Sequence, residues 1–309
     1  MAESFDIIIV GAGTAGMTAA LYALRNGKSV LILEKDTFGG QIALSPKVEN
    51  FPTQKTISGA EFSDIMFEQI TQLGVKAELE KVESITKTPT GFFVTTDYNT
   101  YTAKSIILAT GVKHRQIGVL GEEELVGKGV SYCATCDGPF FAGEEVVVIG
   151  DANTALQYCI MLTGYCKKVT VCTLFDKFFG ESHLVRTLKS KPNVEIFHNL
   201  NLQQFFSKDG YLTGLRFEKT DSGESKIFDT RAVFICVGQM SDNAVFEKLV
   251  NLDKNGFIVA NEECKTSRKG VYAAGDCRTK KVRQLTTAAA DGAAAALAAC
   301  SYLDSLDAS

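Results

Sequence analysis

Apolar residues along this chain fall in short unbroken runs separated by stretches of helical spacing. FDIIIV (5–10) is followed by a glycine-rich turn, a helical stretch to about Arg25, and SVLIL (29–33) ending at Glu34. Runs without polar alternation predict strands covered on both faces, and the intervening helical period predicts a parallel βαβ unit. A second unit repeats the layout: EVVVI (145–149), Gly150, a helical stretch over 154–163, and KVTVC (168–172). The spacing is kept as well, because Gly11 to Glu34 spans 23 residues and Gly150 plus 23 falls on Thr173. Hairpin signals follow each unit (Gly91 to Tyr101; Gly210 to Ile227), and each closes on an apolar strand ending in glycine, IILATG (106–111) and VFICVG (233–238).

The pattern predicts an α/β chain with two tandem lobes. After 238 come a β segment at 256–259, VYAAGDC (271–277) and a final alanine-rich helix from about Thr286 to Leu303. That tail is too short for a domain and is expected to complete the first lobe. The expected division is 1–114 plus 246–309 for the outer lobe and 115–245 for the inserted one, with hinges near 112–120 and 239–246.

GAGTAG (11–16) is a complete GxGxxG between a strand and a helix, with an acid at the end of the next strand. Gly11 allows the tight turn, Gly13 lets the backbone approach a pyrophosphate, and Gly16 lets helix and strand pack. The helix N-terminus favours phosphate charge, and Glu34 is placed for ribose hydroxyls. The first lobe is therefore read as a Rossmann-like dinucleotide site. Gly275 and Asp276 follow a late strand, as expected beside a ribityl chain or phosphate. The positive end of the last helix, near Arg283 and Gln284, suits the negative charge of a reduced flavin. Close helix packing is the other reading of its alanines.

Composition narrows the function. The 309 residues suit about two domains at ~150 each. At 45% hydrophobic the chain has enough apolar surface to fold. A net charge of −4 offers nothing to nucleic acid, and no run of about 18 apolar residues suggests a membrane span. MAESFDIIIVGAG runs straight into a strand without a cationic leader. Nine cysteines, an odd number in a chain this long, point to a reducing, cytoplasmic setting rather than disulfide staples. Cys133-Ala134-Thr135-Cys136 has no second pair nearby, and His114, His183 and His198 are scattered, so no metal is expected. A redox dithiol is favoured, with Asp137 placed to pass a proton to an outgoing thiolate. The other cysteines read as small buried apolar residues; Cys277, beside Asp276, is the one with a further chemical reading.

GAGTAG, GGQ (39–41), VENFP (48–52), ATG (109–111), CATCDG (133–138), GDC (275–277) and RQLTTAAADG (283–292) together resemble the low-molecular-weight thioredoxin reductases over nearly the whole chain. The resemblance implies two nested Rossmann-like lobes and a homodimer. It implies FAD held through Gly11, Gly13, Thr14, Ala15, Gly16, Glu34, Lys35, Gly40, Gln41, Asn50, Val82, Ala109, Thr110, Gly111, Gly275, Asp276, Arg283 and Gln284. It also implies that Cys136 is the flavin-side cysteine, that Cys133 attacks the thioredoxin disulfide, and that Asp137 is the acid.

One departure bears on the electron donor. The family's middle lobe holds NADPH with a GxGxxA loop, a His-Arg-Arg triplet and a later arginine. Here the loop reads Gly150-Asp151-Ala152-Asn153-Thr154-Ala155, the triplet reads Thr173-Leu174-Phe175, and the later arginine is Phe179. A 2′-phosphate finds no cation there, and Thr173 replaces the acid that selects NADH. This pattern is similar to the ferredoxin-dependent flavin thioredoxin reductases, so reduced ferredoxin is the expected donor and thioredoxin the acceptor. An acidic ferredoxin needs local basic patches, for which Lys113-His114-Arg115, Lys167-Lys168 and Lys280-Lys281 with Arg283 are candidates, each also readable as solvated surface charge. Phe175, Phe178 and Phe179 either fill the vacated pocket or simply pack. The alternatives are an NADPH-dependent thioredoxin reductase with a divergent loop, an FAD dithiol oxidase, and a non-catalytic redox-sensing flavoprotein.

Overall fold

The computed structural model describes residues 2–45 and 47–307. They form two compact units, one built from the chain up to Lys113 and again from Met240, the other from His114 to Gln239. Both are α/β, as the apolar runs predict.

The outer unit is built on a seven-stranded sheet. Glu3–Val10 lies between Val30–Glu34 and Thr100–Leu108, parallel to both, with Ile9 opposite Ile32 and Ile107. Lys76–Leu79 extends one edge. On the other side, Gly91–Thr96 pairs antiparallel with the first part of Thr100–Leu108, and Val271–Ala273 pairs parallel with its last part. The tail thus adds a strand where the hairpin leaves the sheet. Ile7 and Ile9 join one core cluster with helix Thr14–Arg25 and the last helix, while Ile8 and Val10 join another with Leu31, Phe92 and Ile106. Both faces are buried, which is why the strand reads as a continuous apolar run.

The last helix, Leu285–Asp307, lies against Thr14–Arg25. Ala19, Ala20 and Ala23 on one, and Ala295, Ala296 and Ala299 on the other, are fully buried. The alanine-rich sequence therefore serves close helix packing, whatever the helix end does besides. The expected β segment at 256–259 is not a strand. Asp253 and Gly256 close a turn, the Asp253 carboxylate accepts from the Asn255 and Phe257 amides, and Ile258 alone bridges to Leu252 and Arg278.

The second unit carries a five-stranded parallel sheet in the order Val194–Phe197, Lys168–Cys172, Glu145–Ile149, Ala232–Ile235, Val130–Ser131. Its first four strands match the outer order position for position. A three-stranded antiparallel sheet, Leu200–Lys208, Tyr211–Lys219 and Ser225–Asp229, follows. No helix among the described residues is long and apolar enough to cross a membrane.

Candidate functional site: a dinucleotide cradle and a redox-active disulfide

In the outer unit, four separate segments meet around the first glycine loop. Gly11 has φ +104°, and a Cβ there would stand 2.3 Å from the Ala109 carbonyl oxygen, so Gly11 and the Ala109-Thr110-Gly111 turn lie backbone to backbone. Gly39 donates to the Ala12 carbonyl at 2.9 Å, which brings Gly40 and Gln41 to the same loop. The Gln41 amide is bonded to the Val112 carbonyl. Glu34, at the strand end, accepts from the Ala12 amide at 2.8 Å and from Lys35 and Asp36 at 2.9 and 3.0 Å. A carboxylate that accepts from three N–H groups is held in one orientation, placed to accept from sugar hydroxyls as well.

Whether a dinucleotide fits can be judged from these groups. Helix Thr14–Arg25 begins at Gly13 with no side-chain cap and no acid in its first turn, so its first N–H groups are left for an external acceptor. A Cβ on Gly13 would find only the Gly39 oxygen, at 3.8 Å, and would occupy the open space where a phosphate approaches. Asp276 lies in the turn Gly275–Cys277; its Oδ1 is buried without a hydrogen-bond partner, and burial pushes its pKa up to about 6 against the pull of Lys280 and Arg283. A hydroxyl donor would satisfy that oxygen, and the ribityl chain of FAD carries several. The residues fit the cofactor.

Other expected contacts stand as follows. Arg283 donates to the Asp276 and Arg278 carbonyls and lies over the Phe257 ring. Asn50 approaches Gln284 at 3.4 Å. Val82 is buried in the cluster that holds Val10 and Leu33. Lys35 is ion-paired with Asp242. Thr110 donates to Asn243 Oδ1 at 2.7 Å, and Asn243 in turn donates to the Gly256 and Cys277 carbonyls. Cys277 is fully buried with its thiol on the Leu108 and Ala274 carbonyls, and burial raises its pKa, the setting of a packing residue.

In the second unit, Cys133 and Cys136 are joined as a disulfide, with Cα atoms 5.3 Å apart. Cys133 caps the one-turn helix Ala134–Asp137, and its sulfur accepts from the Cys136 amide at 3.2 Å. Asp137 closes that turn. Burial raises its pKa, opposed by a 2.6 Å hydrogen bond from Ser131 Oγ. The same Ser131 oxygen accepts from the Cys133 amide at 3.1 Å, so it ties the acid to the first cysteine. The other seven cysteines are free and buried. Among the described residues no three His, Cys, Asp or Glu side chains gather as a metal site.

The crevice of the second glycine loop has different chemistry. Helix Asn153–Leu162 begins at Ala152, whose methyl stands where Gly13 has none. Thr173 is 0% exposed, with its hydroxyl between the Phe175 carbonyl and His198 Nδ1, each 2.7 Å away. Burial lowers the pKa of His198 and raises that of Asp151. Phe175 and Phe179 are 50% and 58% exposed and meet edge to face, while Phe178 packs on His198. Phe175 and Phe179 therefore lie at the surface, while Phe178 packs against the buried core of this unit. Lys177, the single cation of residues 173–181, lies over the Phe179 ring.

Several cations of the expected basic patches have carboxylate partners at home. Lys167 pairs with Glu145 at 2.6 Å and Lys168 with Glu195 at 3.0 Å. Lys280 is 8% exposed at its side chain and bonded to Asp291 at 2.8 Å. His114 stacks on Tyr132, and burial lowers its pKa, leaving it neutral at pH 7. Lys113 lies 3.9 Å from Asp36, whereas Arg115 and Lys281 are exposed. Three polar residues with clear roles escaped the sequence reading. Ser131 left a faint signal, a hydroxyl in an apolar strand just before Cys133. Asp291 left another, an acid in an alanine helix. Asn243 left none.

Comparison with known proteins agrees with this geometry. The family model for pyridine nucleotide-disulphide oxidoreductases matches residues 5–292. The thioredoxin reductase of Treponema pallidum (strain Nichols) is 39% identical over 308 residues, 99% of each chain. That of Bacillus subtilis (strain 168) is 36% identical over 302 residues, 98% of this chain and 96% of the other. The crystal structure of thioredoxin reductase from Streptococcus pyogenes MGAS5005 superposes with a TM-score of 0.94 at 35% identity, covering 99% of this chain and all of that one.

Proposed function

The chain belongs to the pyridine nucleotide-disulphide oxidoreductase family, among the thioredoxin reductases, and on that premise we propose that it reduces thioredoxin with electrons from reduced ferredoxin rather than NADPH. Its cofactor is FAD. When bound, FAD links a one-electron donor to a disulfide that takes two electrons.

The chain's own residues then carry the exchange. In the disulfide the Cys133 sulfur accepts from the Cys136 amide, and the same donor faces that sulfur once the bond is reduced, an arrangement that favours its thiolate. Cys133 attacks one sulfur of the thioredoxin disulfide. A mixed disulfide forms as the thioredoxin bond breaks, and the displaced sulfur takes a proton from Asp137, which burial keeps protonated to higher pH than an ordinary aspartate. Cys136 then attacks the Cys133 sulfur, its thiol proton passing to the now ionised Asp137 carboxylate. The Cys133–thioredoxin bond breaks and the second thioredoxin sulfur takes that proton as it leaves, so the Cys133–Cys136 disulfide is restored with two electrons and two protons delivered.

The observation that carries the choice of donor is the crevice of the second glycine loop. Thr173, Leu174, Phe175 and Phe179 stand where the family pattern has the cations of a 2′-phosphate, and Ala152 stands where the pyrophosphate needs glycine. Hydrogen bonds to charged groups contribute about 1.5–3 kcal/mol each, so losing several weakens NADPH by several decades. The reading includes an outer FAD domain, an inserted redox domain and a homodimer. It also includes a reducing compartment such as the cytoplasm, which suits seven free buried thiols.

The test is anaerobic mixing of the flavin-loaded protein with NADPH and, separately, with reduced ferredoxin, following flavin absorbance. Ferredoxin is expected to bleach the flavin rapidly and to support thioredoxin reduction. Rapid bleaching by NADPH would return the chain to the ordinary nicotinamide-dependent reaction.

A further inference from the structure

The turn that carries Asp276 is held from behind by one buried carboxylate. Asp291 Oδ2 accepts from the Gly275 amide at 3.0 Å, from Arg278 Nε at 2.9 Å and from Lys280 Nζ at 2.8 Å, and its Oδ1 accepts from Arg278 Nη2 at 2.8 Å. Both cations and the carboxylate are nearly buried, with side-chain exposures of 8% for Arg278 and Lys280 and 11% for Asp291. All four donors come from three residues of the six-residue segment 275–280, so one acceptor sets the curvature of the whole segment. A charged pair this buried costs a great deal to break on one side only, because the other charge is left unpaired.

The neighbouring residue explains why the acid sits at this point of the helix. A Cβ on Gly292 would fall 2.2 Å from the Ala15 carbonyl oxygen. The last helix therefore rests directly on the first turn of Thr14–Arg25, the turn whose free N–H groups face the phosphate position. Gly275, with φ +79°, presses on the same Ala15, since a Cβ there would stand 2.7 Å from the Ala15 methyl. Asp291 and Gly292 thus join three parts of the cradle: the last helix, the Gly275 turn and the glycine-loop helix. None of this bonding uses the Asp276 carboxylate, whose Oδ1 stays without a partner.

We infer that Asp291 is a positioning residue for the flavin: it holds the segment from Gly275 to Lys280 in its binding shape before the cofactor arrives, so that the cofactor does not bear the cost of ordering it. The two cations beneath the turn belong to this device and are not available as a docking surface for a protein partner. The pKa of Asp291 is lowered even though burial opposes it, because the Arg278 and Lys280 hydrogen bonds prevail, in keeping with a carboxylate that stays ionised.

Asp291→Asn keeps the size of the side chain but places an amide donor against two cations. It is expected to raise the FAD dissociation constant about tenfold or more, the effect of losing one charge-assisted hydrogen bond, as read by flavin fluorescence during titration of the flavin-stripped protein. The melting temperature should fall more in the flavin-loaded than in the flavin-stripped protein. Asp304→Asn, on the same helix but in the exposed Lys28 ion pair, serves as control and should leave FAD affinity unchanged. An FAD affinity within about twofold of the parent, or equal melting losses with and without flavin, would reduce Asp291 to a brace of the fold and overturn the inference. If Asp291→Asn does not fold, Lys280→Met is read in its place: weaker FAD binding supports the positioning role, and unchanged binding overturns it.

Discussion

The two glycine loops sit at equivalent points of two equivalent sheets and have come to different ends. In the outer unit the loop opens a helix at Gly13, whose missing side chain leaves room for phosphate, and the next strand ends at Glu34 with three amides on its carboxylate. In the second unit the helix opens at Ala152, and the matching strand is followed by Thr173, whose hydroxyl is already engaged by His198 and the Phe175 carbonyl. The sheets beneath are the same in strand order. The difference teaches that the sheet and the cofactor site are specified by separate residues. Buried apolar strands hold the architecture, while a few loop side chains decide what the architecture binds, and these can be lost without cost to the core.

The comparison can be broken in three ways, taken from the largest effect down. Cys133→Ser removes the nucleophile of the second unit and leaves the outer cradle untouched. It is expected to lower thioredoxin reduction by at least ~10³-fold while flavin content stays at the parent level. A variant that still turned over would place the exchange elsewhere. Gly13→Val and Ala152→Val place the same side chain at the two equivalent loop positions. The first should weaken FAD binding by about a hundredfold or more by filling the phosphate approach, and the second should leave it unchanged. Equal effects would mean that both loops still serve a dinucleotide.

The smallest effect concerns Asp276. Its folded pKa of about 6 lies above the ordinary aspartate value, so in the flavin-free protein the unfolded chain gives up its proton first as pH rises. The residue costs nothing near pH 3, its cost grows between about pH 4 and 6, and it is constant above that. Asp276→Asn is expected to stabilise the flavin-free protein at pH 7 by on the order of 2 kcal/mol, with the gain fading below about pH 4. The same variant should hold FAD less tightly. Denaturant melts at the two pH values measure the first effect, and flavin titration the second. A site that is costly when empty and rewarded when filled marks the outer cradle as the working one.

Much of this was legible in the primary structure because it is local. GAGTAG needs only its neighbours to form a helix entry, and CATCDG needs only four residues to close its ring. The 23-residue spacing survives in both sheets because strand, turn and helix lengths are set by backbone geometry. The segment at 256–259 misled because an apolar stretch pairs as a strand only if a partner edge runs beside it, and the Asp253 turn leaves Ile258 alone with partners.

What the sequence by itself determined is therefore the two βαβ units, the cradle glycines, Glu34 and the dithiol. It also showed that positions 173–175 and 179 carry no cation, since residue types are visible without a fold. Only the tertiary structure decided which polar groups are used up. Lys167, Lys168 and Lys280 are cations in the sequence, yet each is committed to a carboxylate in space. Thr110 and Asn243 meet across 133 positions. Asp291 becomes the anchor of the Gly275 turn because two helices pack closely enough to bury it there. Partnership and burial arise from long-range packing, and the chemistry of a polar side chain is decided only when both are set.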